Sequence, residues 1–384
     1  MKNSYLLLLA LIAFLPVSCK KDDKETGRES VRNYECTTGI DRPFTEGNIL
    51  CRNIALYKNT AIQGFHLDSD GKTVWWVQMY NQQLAMIKGW RDASEEVTKQ
   101  NSDVMILNYF GHGTNIAVEE SGEDRYLWAG TYGTPDEKGW FWHEKVIGRI
   151  RFQSGKTFGP DQCDDYYYIG EYTNMHPSID AENDFLTVNY QDNSDANKNR
   201  RCFVVYRLSE ALKAPVRTFP ITCSDAFRTG QPKSTNQIPV TVSCHDLTVL
   251  EPVARFSFPK TGYGGGDDPK FYDWQGFDFH KDRLYYYEGQ SNQSLTGSLY
   301  SGESFIYVTV FDKTGRLLEK RTRLALTADK DAMSSLKLSI YGYIEAEGIK
   351  VYGNKLYLGG CTRGVSSSDW KFYNNIFVFN TSKK

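Results

Sequence analysis

Carboxylates and histidines recur at matched places in five short sequence phrases, and these side chains are the ones best suited to chemistry. The phrases are Gln63-Gly-Phe-His-Leu-Asp68, Thr114-Asn-Ile-Ala-Val-Glu119, Pro177-Ser-Ile-Asp-Ala-Glu182, Gln275-Gly-Phe-Asp-Phe-His280 and Tyr343-Ile-Glu-Ala-Glu347. Each has a central Phe or Ile, and side chains one and three residues later share a face of a strand. That face carries His or an acid in every copy, and Ala117 is the one exception among the ten positions. Such groups hydrogen-bond the neighbouring backbone, surround a cation or transfer protons.

The cation alternative lacks a contiguous ligand loop in this sequence. The segment 192–197, Asp-Asn-Ser-Asp-Ala-Asn, resembles a calcium loop but lacks the central Gly and final Glu of an EF-hand, which favours a surface turn. Gly262-Tyr-Gly-Gly-Gly266 is not followed by Lys-Ser/Thr, which argues against a phosphate loop. The sequence therefore predicts no cofactor and assigns no metal ligands. A cation held by facing carboxylates in a central channel stays an open alternative.

Three histidines, His66, His112 and His176, are predicted to lie near one rim of that channel. Histidine can transfer protons near neutral pH, bind a metal or hydrogen-bond a sugar hydroxyl. The simpler alternative is a histidine whose hydrogen bonds fix a turn. Aromatic rings stack on sugar faces, while amides and carboxylates bond hydroxyls. On this basis the candidate ligand-binding residues are Gln63, His112, Asn115, Tyr132, Trp274, Gln275 and Asp278.

The elements that must position these residues repeat as well. Each phrase is followed by a second apolar run: Val74-Trp-Trp-Val77, Tyr126-Leu-Trp-Ala129, Phe185-Leu-Thr-Val188, Leu284-Tyr-Tyr-Tyr287 and Leu356-Tyr-Leu358. A strand-turn-strand unit that cannot bury both faces alone predicts repetition around an axis. We therefore expect an all-β chain, a five-bladed β-propeller with an insertion at about 209–266. An apolar strand within 48–56 should complete the last blade and close the ring.

The N-terminus predicts an export signal rather than a folded element. Lys2 precedes an apolar stretch that ends in Leu15-Pro-Val-Ser-Cys19, which resembles a lipoprotein cleavage site. We expect a signal peptide at 1–18, lipidation of Cys19, a flexible tether at 19–45 and the propeller at 46–384. The following Lys20-Lys-Asp-Asp-Lys-Glu25 resembles a signal for the outer face of a Gram-negative outer membrane. The expected location is the outer membrane, and a plain secretory signal is the alternative.

Composition narrows the classes of partner. The formal net charge is −2 at pH 7, so no strong overall field attracts nucleic acid. Of the eight cysteines, seven remain after Cys19, and no Cys-x-x-C pair is present. An odd number leaves at least one thiol unpaired, and the pairing of the others cannot be read from spacing.

One stretch of the sequence resembles a particular protein family more closely than its residue types alone would explain. The segment 104–119, Val-Met-Ile-Leu-Asn-Tyr-Phe-Gly-His-Gly-Thr-Asn-Ile-Ala-Val-Glu, is followed by Tyr126-Leu-Trp-Ala-Gly130. It resembles the β-propeller shared by teichoic-acid-biosynthesis-C-like proteins, phage receptor-binding proteins and helveticin J-like bacteriocins. The resemblance is firm over about 61–132 and weaker towards the C-terminus. It implies a five-bladed propeller in which the loop 111–114, Gly-His-Gly-Thr, shapes the rim. In that family the propeller recognises a cell-surface glycopolymer or attacks rival cells.

Taken together, the sequence predicts a lipid-anchored, non-enzymatic envelope protein whose propeller rim binds a glycan or another cell-surface ligand. Its expected partners are a cell-envelope polymer and the membrane that holds the anchor. Two alternatives remain open. One is a carbohydrate-active enzyme, a lyase or hydrolase at the channel mouth, and the other is a helveticin-like antibacterial toxin.

Overall fold

The computed structural model describes residues 36–80, 83–263, 270–291, 303–369 and 371–381. The predicted signal peptide, Cys19 and the tether up to residue 35 lie outside the described residues. Across the described ranges the chain is an all-β protein, in which five mainly antiparallel sheets form a five-bladed propeller. No helix among these residues is long and apolar enough to cross a membrane.

Each blade is a sheet of at least four strands, ordered from the channel outwards. Blade 1 has Ile62–Leu67, Thr73–Tyr80, Gln83–Arg91 and Val104–Asn108, with short edge strands Val97–Thr98 and Thr157–Phe158. Blade 2 has Ala117–Ser121, Asp124–Thr131, Val146–Arg151 and Asp165–Tyr168. Blade 3 has Thr173–Asp180, Phe185–Gln191, Arg200–Arg207 and Ala254–Pro259. Blade 4 has Trp274–His280, Arg283–Gln290, Phe305–Asp312 and Leu317–Arg323. Blade 5 has Ile344–Tyr352, Lys355–Thr362, Tyr373–Asn380 and Ile49–Cys51.

Short helices and a small hairpin lie in the connections between strands. The α-helical turns are Leu208–Ala211, Ala226–Thr229 and Lys330–Ser335, and the 3₁₀ turns are Glu46–Asn48, Leu247–Val249 and Ala325–Ala328. The hairpin pairs Thr134–Pro135 with Phe141–Trp142 and projects from blade 2. This hairpin positions part of the candidate site.

The predicted ring closure is confirmed. Ile49 pairs with Phe377 and Cys51 with Ile376, so the first strand of the chain is the outer strand of the last blade. The main-chain hydrogen bonds of this pairing cover what would otherwise be an open sheet edge. The two ends of the propeller are thereby held in one sheet.

The segment predicted as an insertion extends two blades. Val216–Ser224 and Gln237–Asp246 form a hairpin that joins the outer edge of blade 2 through parallel pairing of Tyr167 with His245. Ala254–Pro259 then supplies the fourth strand of blade 3. The segment is therefore part of the propeller framework.

The C-terminal end of the predicted tether packs against the propeller. Ile40 is fully buried in the core of blades 4 and 5, and its carbonyl accepts a hydrogen bond from the Ala325 amide. Phe44 packs edge-on against Phe377 at 5.3 Å. Residues 36–45 are thus anchored to the propeller, because the apolar side chains of this polar stretch pack against blades 4 and 5. The local composition gives no sign of that packing.

Four of the inner strands carry one extra residue near their start. The pairing register shifts between Ile62 and Gly64, and shifts in the same way in blades 3, 4 and 5. Such a bulge re-aims side chains at the end of a strand. In blades 1, 4 and 5 a glycine follows it, and a Cβ on Gly348 would lie 3.0 Å from the Cα of Gly64. Glycine therefore allows the inner strands to approach closely around the axis.

Candidate functional site

A cleft of about 400 Å³ opens at the mouth of the channel where the inner strands begin. Gln63, Thr114, His176 and Gln275 reach it from four blades. The ends of the same strands line a separate cavity, so the two openings lie at opposite mouths of the channel. We call the first opening the entry cleft and the second the exit cavity.

A glycine-rich loop brings His112 to the entry cleft. A Cβ on Gly111 would lie 2.1 Å from Glu144 Oε1, so no larger residue fits there without displacing Glu144. Gly113 adopts a positive φ of 83°, which favours glycine. The loop sequence thus reflects close packing on Glu144 and turn geometry.

Two tryptophans hold the His112 ring in place. The imidazole stacks on Trp142 at 4.6 Å with an interplanar angle of 18°, and Trp140 lies 4.8 Å away. Both indoles belong to the blade 2 hairpin, which Asp136 braces by accepting hydrogen bonds from the Trp140 amide at 2.9 Å and Trp142 Nε1 at 3.2 Å. The hairpin therefore presents a preformed aromatic wall.

A second aromatic group faces the cleft from blades 3 and 4. The rings of His176 and Trp274 lie 4.8 Å apart, and the Arg201 guanidinium sits 5.3 Å from the centre of the Trp274 ring. Arg201 Nε donates to Tyr286 Oη at 3.2 Å, which fixes its orientation. Trp274 Nε1 has no hydrogen-bond acceptor within the described part of the chain. This buried Nε1 group is an unsatisfied donor in the wall of the cleft.

Both histidines of the cleft are neutral at pH 7. Burial lowers the pKa of His112 to about 4, against a smaller opposing effect of Asp136. Burial, together with Arg201 and His112, lowers the pKa of His176 to about 3. Neutral imidazoles can accept as well as donate hydrogen bonds, and they can serve as bases.

Glu144 forms the floor beneath the His112 loop. It is 1% exposed, and burial raises its pKa to about 8, only partly offset by backbone amides that include that of His112. The carboxyl group is therefore protonated and uncharged at neutral pH.

Basic side chains outnumber acids around the opening. Arg200, Arg201 and Lys260 line the cleft, and Asp273 is its acidic member. Arg200 is held by Ser257, whose Oγ accepts from Arg200 Nε at 2.7 Å, and Lys260 Nζ donates to the Lys198 carbonyl at 3.0 Å. The entry cleft thus combines flat aromatic surfaces, neutral amides and fixed positive charge.

The structure separates the predicted ligand-binding residues into two groups. Gln63, His112, Trp274 and Gln275 all line the entry cleft. Asn115, Tyr132 and Asp278 do not. Tyr132 is 6% exposed and packs on Tyr166 of blade 2 and on Phe227 of the blade 2 extension. The extension is distant in sequence, so its covering of Tyr132 could not be foreseen.

Asn115 and Asp278 brace the channel wall. Asn115 donates to the Pro177 carbonyl at 2.8 Å and accepts from the Phe277 amide at 3.0 Å, and so ties blades 2, 3 and 4 together. Asp278 is 3% exposed and accepts from the Val351 amide at 2.7 Å and from Ser178 Oγ. Lys350 Nζ lies 3.7 Å from it. These two residues therefore hydrogen-bond the neighbouring blades, which is the structural role that the sequence leaves open as an alternative to ligand binding.

The prediction that three histidines share one rim is wrong. His112 and His176 line the entry cleft, whereas His66 lies in the exit cavity. His66 stands late in its strand and His176 early, and a strand rises about 3.3 Å per residue. Strand position therefore decides which mouth a side chain serves.

Sequence reasoning missed the tryptophan pair and the basic side chains. Trp140 and Trp142 belong to the segment 139–143, Gly-Trp-Phe-Trp-His. So many aromatic residues in one short segment could have indicated a binding surface. Arg200, Arg201 and Lys260 lie at the ends of the outer strands of blade 3, where charged residues are ordinary. Within the described residues, no group of three closely spaced metal-ligating atoms lies at the entry cleft.

Comparison with known proteins gives one sequence relative and a set of distant folds. No protein-family model matches the chain. A Bacillus subtilis (strain 168) protein named "Putative major teichoic acid biosynthesis protein C" is 22% identical over 191 residues, 47% of this chain and 38% of that protein. The chain thus spans well under half of that relative.

Among solved structures, the polysaccharide lyase Uly1 is 9% identical with a TM-score of 0.30, covering 91% of this chain and 96% of that one. An α-L-arabinofuranosidase from Lactobacillus brevis is 8% identical with a TM-score of 0.33, covering 84% and 92%. These scores describe distant likenesses, and the function proposed below rests on the cleft itself.

Proposed function

We propose that the entry cleft binds a negatively charged glycan or glycopolymer of the cell envelope, as a recognition site rather than a catalytic one. The observation that carries the proposal is the joint lining of one opening by Trp140, Trp142 and Trp274 with the cations of Arg200, Arg201 and Lys260. Rings supply faces for sugars, and fixed cations supply partners for phosphate or carboxylate groups.

The electrostatics support an anionic ligand. Arg201 is held by Tyr286, and Arg200 and Lys260 by other protein groups, so their charges are preorganised. Because these side chains are already held in place, they lose little conformational entropy when a ligand binds. The named role of the sequence relative, teichoic acid biosynthesis, also concerns an anionic wall polymer and supports the same ligand class.

Calorimetric titration tests the proposal with three probes: a poly(glycerol phosphate) chain, a polyuronate and a neutral glucan. We expect saturable binding of an anionic probe and little binding of the glucan. Trp274→Ala should weaken binding by at least about 5-fold, since aromatic contacts contribute on the order of 1 kcal/mol or more. Lys260→Met should weaken only the anionic probes and reduce the salt dependence.

The matched control is Tyr80→Ala, which removes an aromatic ring that is 37% exposed and outside the cleft. It should leave binding unchanged. Absence of binding to all three probes, or equal losses in Tyr80→Ala and Trp274→Ala, would overturn the proposal.

A second candidate function, a carbohydrate-active enzyme, is favoured by one observation. His112 and His176 line the same cleft, and both are neutral bases at pH 7 because burial lowers their pKa values. Incubation of purified protein with the same polymers, followed by assays for reducing ends and unsaturated products, distinguishes turnover from binding. His176→Gln should abolish product release if turnover occurs, while retaining affinity.

We further propose that Cys19 carries the lipid that anchors the protein to the outer membrane. The proposal rests on the sequence Leu15-Pro-Val-Ser-Cys19. Metabolic labelling with a radioactive fatty acid should mark the wild-type protein and not Cys19→Ser. Membrane fractionation and surface protease digestion of the same pair would locate the propeller.

A further inference from the structure

The exit cavity, of about 660 Å³, contains a group of side chains that neither the glycan proposal nor the channel wall uses. His66 Nε2 and carboxylate oxygens of Asp68 and Glu120 all lie within 4.8 Å of one another. Nε2 is 3.6 Å from Asp68 Oδ1 and 3.6 Å from Glu120 Oε1. A cluster of acids alone does not indicate a metal site. The burial and the hydrogen-bond partners of His66 are therefore the deciding observations.

His66 is a buried ligand without a hydrogen-bond partner at the atom that faces the acids. The residue is 8% exposed, and Nε2 has no hydrogen-bond partner in the described part of the chain. Its other ring nitrogen, Nδ1, lies 2.9 Å from Tyr352 Oη. A contact at one ring nitrogen fixes the orientation of the imidazole and leaves the other to coordinate, as for many metal-binding histidines.

The two carboxylates are oriented in the same manner. Arg125 bonds Asp68 Oδ2 at 3.0 Å and Glu120 Oε2 at 3.1 Å. The second oxygen of each carboxylate, Asp68 Oδ1 and Glu120 Oε1, faces His66 Nε2. Asp68 Oδ1 also accepts hydrogen bonds from Trp75 Nε1 at 2.8 Å and Arg125 Nε at 3.1 Å. Glu120 Oε1 accepts one from the Ser69 amide at 2.9 Å. A bound ion would share these oxygens with those donors. Arginine or amide groups that hold ligand carboxylates in this way form the outer shell of metal sites.

The spacing suits a small transition-metal ion. Two ligands that each lie about 2.1 Å from a tetrahedral zinc are about 3.4 Å apart, close to the 3.6 Å seen at His66. One imidazole and two carboxylates match the ligand preferences of Zn²⁺ and Mn²⁺ better than those of Ca²⁺, which takes six to eight oxygens. Three protein ligands leave at least one position open to the exit cavity.

We propose that His66, Asp68 and Glu120 form a binding site for a divalent transition metal at the exit cavity, with Tyr352 and Arg125 as the positioning residues behind the ligands. The site joins blade 1, through His66 and Asp68, to blade 2, through Glu120, and to blade 5, through Tyr352. A metal there would tie three blades together at the mouth opposite the entry cleft. The inference is independent of the glycan proposal.

The test is titration of the metal-stripped full-length protein with Zn²⁺, Mn²⁺, Co²⁺ and Ca²⁺. We expect one Zn²⁺ or Mn²⁺ per chain, weak Ca²⁺ binding, and for Co²⁺ the intense visible absorption of a tetrahedral site with a nitrogen ligand. Glu120→Gln and His66→Gln should abolish stoichiometric binding. Tyr352→Phe, which removes only the hydroxyl behind His66, should reduce affinity by about 10- to 100-fold.

Glu182→Gln is the matched control, because Glu182 is an exposed carboxylate that lines the same cavity and is not in the group of three. It should bind metal like the wild type. Thermal melts of each metal-free variant check folding, and Glu120, at 27% side-chain exposure, is the substitution least able to disturb the core. No binding of any of the four metals by the wild type, or equal losses in Glu182→Gln and Glu120→Gln, would overturn the proposal. The first result would mean that Arg125, Trp75 and Ser69 satisfy the two acids without an ion.

Discussion

The two mouths of the channel are built from the same inner strands but treat their polar groups differently. At the entry cleft, His112 stacks on Trp142, His176 packs at a tilt against Trp274, and Arg200, Arg201 and Lys260 line the same opening. At the exit cavity, histidines face acids: His280 Nδ1 lies 2.9 Å from Asp180 Oδ2, and His66 faces Asp68 and Glu120. The first mouth therefore offers aromatic and positive surface, and the second offers carboxylates and imidazoles. A symmetric architecture can thus present two unlike sites on one axis.

Between the mouths lies a buried charge pair that holds the inner strands together, and its removal should have the largest effect. Asp278→Ala should cost about 3–5 kcal/mol, because it leaves the Lys350 ammonium buried without its acid. Urea denaturation measures the loss. The double variant Asp278→Ala, Lys350→Met should recover part of it. A cost below about 1 kcal/mol would mean that the pair behaves like a surface ion pair.

Glu144 should make the entry cleft sensitive to alkaline pH. Its pKa is raised from 4.5 to about 8 by burial, so the folded protein binds more protons than the unfolded chain between those values. That stabilisation is complete below about pH 4.5 and is lost as the pH rises through 8. Glu144→Gln keeps the shape without the ionisation and should gain a few kcal/mol over wild type at pH 9. Identical pH profiles for the two proteins would refute the assignment.

Histidines at the two mouths should respond to pH with opposite signs. The pKa of His176 is lowered from 6.5 to about 3, so its stabilising effect is lost as the pH falls from 6.5 towards 3. Burial lowers the pKa of His280, but the bond to Asp180 outweighs it and the net shift is upward. Its stabilising effect is present below pH 6.5 and is lost as the pH rises through its folded pKa.

Urea denaturation at pH 5 and pH 8 checks this pair. Relative to wild type, His176→Gln should be more stable at pH 5 than at pH 8, by on the order of 1 kcal/mol. His280→Gln should show the reverse, with its larger loss at pH 5. Each variant is the control for the other, and a shared sign would remove the proposed contrast between the mouths.

A solvent-exposed ion pair should have the smallest effect. Asp195 is 99% exposed at its side chain and lies 3.1 Å from Lys198. Asp195→Ala should change the free energy of unfolding by less than about 0.5 kcal/mol, because solvent screens such pairs. If Asp195→Ala lost as much stability as Asp278→Ala, burial would not explain the larger cost expected for the buried pair.

Much of the fold followed from sequence, whereas the register of two blades did not. Ile179 and Ile344 were taken as equivalents of Phe65, yet strand pairing makes Pro177 and Ile349 the equivalents. The phrase Tyr343-Ile-Glu-Ala-Glu347 alternates like an inner strand, but it covers only the start of that strand and runs into a bulge between Ala346 and Ile349. Lys350, the buried cation of the channel, was missed for this reason.

The sequence by itself determined the number of blades, the strand that closes the ring and four residues that line the entry cleft. These depend on repeated local patterns and on residues fixed at strand starts. Only the tertiary structure decided which mouth each histidine serves, that Trp140 and Trp142 face His112, and that Tyr132 is covered. The physical reason is that side chains alternate along a strand with period two. One bulged residue therefore moves the side chains next to it from the face towards the channel to the face towards the core. Contacts between blades then depend on residues far apart in the chain.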